Sequence, residues 1–251
     1  MGLGDDMMYL ADAHQIHSET GKTIRPTRRN KPVNLSKKEL WSQETFIKSN
    51  GEYDFDELIP HKNDWLRPYA VGNRDYKPHA IPITLTPEEL QLTYKLREQA
   101  PYVVLSVDSK ETTHAVNKTW PKEYWDSLAE LLPLKCIRLH NPHSTDYNYK
   151  HISSVKVNSA RESYCYIRSA ALVITTDGFA HHASASANTK CCVIWTVTHQ
   201  KQLGYPGQLN ILDAQHSGCY TYRQQCDECV EANKRITPAK VYNELQKHGW
   251  L

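Results

Sequence analysis

Apolar positions recur along this chain with two different periods, and the change of period divides it. Near the N-terminus Met8, Ala11 and Ile16 make a stripe at helical spacing, and Gly21 stands where such a helix would stop. Residues 22 to about 100 show little periodicity and carry prolines at 26, 32, 60, 68, 78, 82 and 87. Within them, Thr86-Pro87-Glu88-Glu89 opens a helix that ends near Ala100. It has a threonine cap, a proline at the first helical position and acids facing the positive dipole end. Beyond residue 100 short apolar runs alternate with amphipathic stretches. Strands are expected at 102–107, 135–139, 171–175, 191–197 and 209–212. Helices are expected at 121–132, from a capping box at Ser159–Glu162 to about Ala170, at 179–188, and from Thr237-Pro238 to Gly249. Strands alternating with helices of about ten residues imply an α/β fold with a parallel sheet.

Composition narrows the class. The 251 residues are 39% hydrophobic, enough for a buried core without disulfide staples, and no apolar run reaches the length of a membrane span or a signal peptide. Seven cysteines, an odd number with Cys191 and Cys192 adjacent, do not read as a disulfide framework and point to a reducing, cytoplasmic setting. Formal net charge is only +2, yet Gly21–Lys38 holds seven basic residues and no acid. That run, with Arg25, Arg28 and Arg29, reads either as a solvated loop or as a platform for a polyanionic acceptor such as nucleic acid or a phosphorylated glycan.

Two loops carry candidate chemistry. In a parallel sheet, ligands bind at the carboxyl ends of strands, where helix N-termini point free N–H groups outward. Lys118 lies three residues before a proline-started helix, so its ammonium and a dipole end suit a diphosphate; the alternative is a solvated lysine. Thr176-Asp177-Gly178 ends a β-branched strand and leads into a helix of very small residues containing His181 and His182. Asp177 would accept hydrogen bonds from sugar or ribose hydroxyls, or simply cap the helix. The dipole lowers a histidine's pKa in the first turn, favouring a neutral, hydrogen-bonding ring. Separately, His216, Cys219, Cys226 and Cys229 place four soft ligands within fourteen residues, a zinc candidate or a loop of reduced thiols.

The ordered pieces Gly2-Leu3-Gly4-Asp5-Asp6, Lys118-Thr119-Trp120-Pro121, Asp177-Gly178-Phe179-Ala180-His181-His182 and Ile236-Thr237-Pro238 resemble glycosyltransferase family 9, the ADP-heptose:lipopolysaccharide heptosyltransferase family, and especially its shorter phage and bacterial relatives. The resemblance implies a GT-B-like fold of two Rossmann-like lobes with parallel sheets. Here an abbreviated acceptor-side lobe would span 1–100 and a nucleotide-sugar lobe 101–251. It implies inverting, metal-independent transfer from an ADP- or UDP-linked sugar to a glycan or, in a viral chain acting in its host's cytoplasm, DNA. Asp5, or Asp6 as second choice, would be the catalytic base. Gly4, Lys118, Thr176, Asp177, Gly178, His181 and His182 would bind the donor, the family's aspartate being offset so that either Thr176 or Asp177 fills its place. The chain departs from the family in length and in lacking a strand before Gly2. A module that binds nucleotide or glycan without catalysis is the alternative.

Overall fold

The computed structural model describes residues 3–28, 31–32, 39–54, 75–99, 101–107, 115–140, 144, 147–221 and 224–251. Its centre is a sheet of six parallel strands: β5 (Tyr102–Ser106), β6 (Lys135–His140), β7 (Ile152–Lys156), β8 (Leu172–Thr176), β9 (Cys191–Trp195) and β10 (Leu209–Leu212). They lie in the order β10-β9-β8-β5-β6-β7. Counted along the sheet, that is the doubly wound order, with the direction of winding reversing between β5 and β8.

The period-two alternation of the strands sorts their side chains onto two faces. Tyr102, Val104, Val173, Cys191, Val193 and Trp195 pack on one face beneath three helices, α1 (Leu3–Thr20), α4 (Ala160–Ser169) and α5 (Phe179–Ala187). Val103, Leu105, Leu172, Ile174, Cys192 and Ile194 pack on the other, against α3 (Lys122–Leu131) and α7 (Pro238–Lys247). Each element grows from local chemistry. Gly21 ends α1 with a positive φ of 71° and donates its N–H to the His17 carbonyl at 2.7 Å. Helix α2 (Pro87–Arg97) has a reciprocal capping box between Thr86 and Glu89. At α4 the box is shifted: Ser159 accepts from the Glu162 N–H, but the Glu162 carboxylate accepts from the Asn158 N–H.

Before Pro87 the described strands are two-residue pairs: β1 (Ile24–Arg25) runs parallel to β4 (Tyr53–Asp54), and β2 (Thr27–Arg28) antiparallel to β3 (Lys31–Pro32). Leu40, Trp41, Phe46, Ile47 and Ile83 join the core on the α1 face of the sheet. A buried arginine secures this segment. Arg161 on α4 donates to both Glu89 oxygens, at 2.7 and 2.6 Å, and to the carbonyls of Thr84 at 2.6 Å and Leu40 at 3.2 Å. Glu39 accepts from the Ala160 N–H at 2.8 Å, filling one of the open donors at the start of α4.

Besides the two-residue strands and a four-residue helix at Gln200–Leu203, two longer elements were not anticipated. Strand β7 pairs on one side only and exposes Ser153, Ser154 and Lys156, so it has no apolar alternation to read. Helix α6 (Asp227–Arg235) begins inside the cysteine-rich segment expected to be a loop, with Cys226 as its N-cap.

Replacing Arg161 with alanine is expected to cost about 3–5 kcal/mol, the usual penalty for orphaning one partner of a buried ion pair. Urea unfolding measures it. A loss below about 1 kcal/mol would show that Glu89 and the two carbonyls are satisfied without the guanidinium.

Candidate functional site

In a doubly wound sheet the ligand crevice is expected where the strand order reverses, which here is at the carboxyl ends of β5 and β8. The segment after β5 reaches a 3-10 turn, Ala115–Lys118; the segment after β8 is Asp177–Gly178, leading into α5. These two loops meet. The Lys118 Nζ donates to the Asp177 carbonyl oxygen at 3.0 Å. The N-cap of α5 is Gly178, with extended backbone and no side-chain cap, so Asp177 is not the cap.

The Asp177 side chain turns inward. It is 7% exposed; its Oδ2 accepts from the Thr198 hydroxyl at 2.9 Å, and its Oδ1 lies 3.6 Å from His181 Nδ1. Burial alone would raise the pKa of this carboxyl, but His181, Lys118 and His182 together hold it well below the usual carboxylate range. His181 is fully buried, and neither of its ring nitrogens has a hydrogen-bond partner. It packs among His182, Trp195 and Tyr205, with ring centroids 4.3, 5.1 and 5.2 Å away. His182 Nδ1 is 2.8 Å from the Tyr205 hydroxyl. Thr176, 9% exposed, ends β8.

Helix α1 closes the crevice from the N-terminal side. A Cβ built on Gly4 would stand 2.8 Å from His182 Cδ2, so glycine is what lets α1 approach α5 here. Asp5 and Asp6 follow at once, each 4% exposed, and the Asp6 carbonyl accepts from Trp41 Nε1 at 3.3 Å. Of the basic residues expected to hold an acceptor, Arg25 is ion-paired with Asp54 at 3.6 Å across the β1–β4 register. Only the backbone of Arg28 is described, and Arg29 lies outside the described residues.

A third carboxylate belongs beside these two. Asp12 lies seven residues beyond Asp5, two turns along the same side of α1. The Tyr76 hydroxyl donates to its oxygens at 3.3 Å, and His79 Nδ1 is 3.7 Å from Oδ1. Burial lifts its pKa to about 6 against the opposing pull of His79 and Tyr76. The seven-residue spacing was readable in the sequence; Tyr76 and His79 come from an aperiodic segment that gave no sign of meeting it. Near Tyr205, which also feels the Asp12 charge, a cavity of about 460 Å³ opens, with Lys77, Gln200 and Lys201 among its lining residues.

Behind Lys118 the neighbouring residue, Asn117, is wholly buried and fixes the loop to the cysteine-rich segment. Its Nδ2 donates to the carbonyls of Thr221 and Gln224 at 2.8 and 2.9 Å, and its Oδ1 accepts from the Cys226 N–H at 2.8 Å. Its carbonyl accepts from the Thr196 hydroxyl at 2.7 Å and from Asn233 Nδ2 at 3.2 Å. Among the described residues, two groups of side chains have ligand atoms close enough to share an ion: Asp177, His181 and His182, and His216, Cys219, Cys226 and Cys229. The first stands beside the Lys118 ammonium, which disfavours a second cation there.

Fold and site together define a doubly wound α/β protein in which Lys118 meets the Asp177–Gly178 turn at the switch point of the sheet. No protein-family model matches the sequence, and no curated protein is similar to it in sequence. Among solved structures, the fold is similar to that of E. coli heptosyltransferase WaaC with ADP-2-deoxy-2-fluoro heptose, with a TM-score of 0.48 and 14% identity over 64% of this chain and 48% of that one. It is also similar to E. coli ADP-heptose LPS heptosyltransferase II, with a TM-score of 0.48 and 12% identity over 66% of this chain and 52% of that one. A glycosyl transferase family 9 structure from Veillonella parvula gives a TM-score of 0.47 and 12% identity over 66% and 55%. The chain spans about half the length of these proteins. Among the described residues no helix is long and apolar enough to cross a membrane.

Two outcomes follow from the geometry. Gly4→Ala should push His182 off its place beside Tyr205 and lower stability by about 1–3 kcal/mol, the range for overpacking; a thermal midpoint equal to the parent's would show that α1 does not press on α5. Asp12 keeps its proton in the folded chain up to about pH 6 but loses it near pH 4 when unfolded. Its contribution is therefore full below pH 4 and is lost as pH rises through 6. Asp12→Asn should remove this fall, gaining on the order of 2 kcal/mol over the parent at pH 8 while matching it near pH 4. Denaturant curves across that range that stay parallel for the two proteins would exclude a raised Asp12 pKa.

Proposed function

We propose that this protein is a glycosyltransferase that binds the diphosphate of a nucleotide sugar between Lys118 and the N-terminus of α5. The observation that carries the reading is the meeting of Lys118 with the Asp177–Gly178 turn at the switch point of the sheet, 3.0 Å apart. An ammonium, the unfilled N–H groups of a helix and its positive dipole end then converge on one position, the combination that favours phosphate. The likeness of the Lys118–Pro121 and Asp177–His182 segments to the donor motifs of family 9 supports the same assignment.

In this reading the donor's anomeric carbon faces α1. The acceptor hydroxyl gives its proton to Asp5, its oxygen bonds to the anomeric carbon, and the bond from that carbon to the diphosphate oxygen breaks with inversion. Lys118 and the backbone N–H groups of Gly178 and Phe179 take up the charge growing on the leaving nucleoside diphosphate, so the reacting centre needs no metal. Asp177, turned toward Thr198 and His181, holds the turn rather than the sugar; Thr176 and His182 are left to orient the donor. The acceptor approaches along α1, past Asp5 and Asp12.

A panel of ADP- and UDP-linked sugars, assayed for nucleoside diphosphate release and by calorimetry for binding, tests the proposal. Lys118→Ala should weaken donor binding about 10- to 100-fold, the loss of one charge-assisted contact. Asp5→Asn should keep donor binding and lower turnover at least about 100-fold, the scale of general base catalysis. Donor binding unchanged by Lys118→Ala, or binding without turnover for every acceptor tried, would defeat the reading and favour a non-catalytic binding module.

A further inference from the structure

We propose that His216, Cys219, Cys226 and Cys229 bind one zinc ion, and that this ion fastens the cysteine segment to the loop that carries Lys118. Four of the six separations among the ligand atoms are 3.2–3.9 Å. Cys219 Sγ is 3.2 Å from Cys229 Sγ and 3.9 Å from Cys226 Sγ, and His216 Nε2 is 3.2 Å from Cys229 Sγ and 3.9 Å from Cys226 Sγ. All four lie within 4.8 Å of one another. Zinc bonds of about 2.3 Å to sulfur and about 2.0 Å to nitrogen in a tetrahedron require edges of roughly 3.5–3.8 Å, which these distances bracket. A disulfide does not describe the group. The separations far exceed the roughly 2.05 Å of an S–S bond, and three sulfurs crowd one point.

The surroundings fit a metal site as well. His216 Nδ1 is 3.0 Å from Glu228 Oε2, so a carboxylate orients the ring and leaves Nε2 to face the sulfurs, the usual outer-shell arrangement for a metal-bound histidine. The Thr221 N–H points at Cys219 Sγ from 3.5 Å. Gly218 and Tyr220, on either side of Cys219, have φ of 71° and 57°, which bend the chain sharply around that ligand. Cys226 is the N-cap of α6 and Cys229 lies in its first turn, so the start of one helix sets both ligands. Asp213 completes the frame: it accepts from the His216 N–H at 2.8 Å and is gripped by Arg235 through both oxygens.

Zinc here would act on the crevice through Asn117. All three side-chain hydrogen bonds of Asn117 go to Thr221, Gln224 and Cys226, backbone positions that lie between or on the ligands. The next residue is Lys118. Zinc binding itself is independent of the function proposed above; the consequence for Lys118 rests on that reading.

The protein, expressed with zinc and purified without chelators, should carry about one zinc per chain by elemental analysis. Cobalt substituted for it should give the intense visible bands and sulfur-to-metal charge transfer of a tetrahedral thiolate site. Cys226→Ser and His216→Ala should each lower zinc affinity at least tenfold, whereas His216→Cys, a conservative ligand, should retain it. If the variants fail to fold, stripping the wild-type protein with a chelator and restoring zinc keeps the test open. Hydrogen exchange should rise at residues 216–229 and at Asn117 on removal and recover on return. Less than about a tenth of an equivalent of zinc together with failure to take up cobalt under reducing conditions would overturn the site, as would iron in its place or undiminished affinity in both variants. Zinc binding with unchanged exchange at Asn117 would overturn the fastening. Zinc bound and Asn117 protected, but no nucleotide sugar bound, would sink the proposed function while leaving the site intact.

Discussion

One buried amide, Asn117, holds the crevice together. A carboxamide with no exposure must have its donors and acceptor satisfied inside the protein, and each unmet group would cost about 1–3 kcal/mol. Asn117 meets that demand from one segment, the chain from Thr221 to Cys226, while its carbonyl is held by Thr196 beyond β9 and Asn233 on α6. Three parts of the chain remote in sequence, around Asn117, around Thr196 and from Thr221 to Asn233, therefore share one set of hydrogen bonds. Their geometry is coupled: moving the cysteine segment would strip Asn117 of its partners, and Lys118 follows Asn117 directly. The lysine's long, flexible stem is thus anchored at a fixed root.

The opposite wall depends on a different constraint, the sorting of strand side chains. Cys191 and Cys192 point to opposite faces of the sheet, as do Val103 and Val104, so both faces are apolar and both must be covered. Helix α1 is one of the covers, although it comes from the far end of the chain. Its contact with α5 through Gly4 sets Asp5, the next residue, in the buried part of α1 beside that contact. Arg161 serves the same end by tying the segments at Leu40 and Thr84 to α4. Stability and site geometry here rest on the same contacts.

Most of the sheet could be read in advance, because β5, β6, β8 and β9 are apolar runs bounded by turns and separated by helices, of which α4 carries a recognisable cap at Ser159. The winding order could not, since period and propensity say nothing of which strands become neighbours. Strand β7 was invisible for a physical reason: an edge strand bonded on one side, with serines exposed, has no pattern to display. Of the site, Lys118 and the Asp177–His182 turn were legible from the rule that strand ends meet helix starts. Two features escaped. Asp177 reads as a ligand or a cap, yet Gly178 holds the cap position and the carboxylate turns toward Thr198, a partner that only the β8–β9 pairing supplies. Asp12 gained significance only when a proline-rich segment without periodicity delivered Tyr76 and His79 to it.

The charges in the crevice are arranged so that its cation stays usable. Had Lys118 faced the Asp177 carboxylate directly, a diphosphate would have to break a buried ion pair before binding, and the two charges would cancel at short range. Instead Lys118 is bonded to the Asp177 backbone carbonyl, a neutral acceptor whose loss costs far less. The carboxylate points the other way, kept ionised by His181, Lys118 and His182 at a distance and bonded by Thr198. Asp177 thereby lends its charge to the stability of the turn without sealing off the ammonium. Gly178, at the N-cap, makes no side-chain bond to the start of α5. The two charges of this turn are thus held by separate partners, the ammonium by a backbone oxygen and the carboxylate by Thr198.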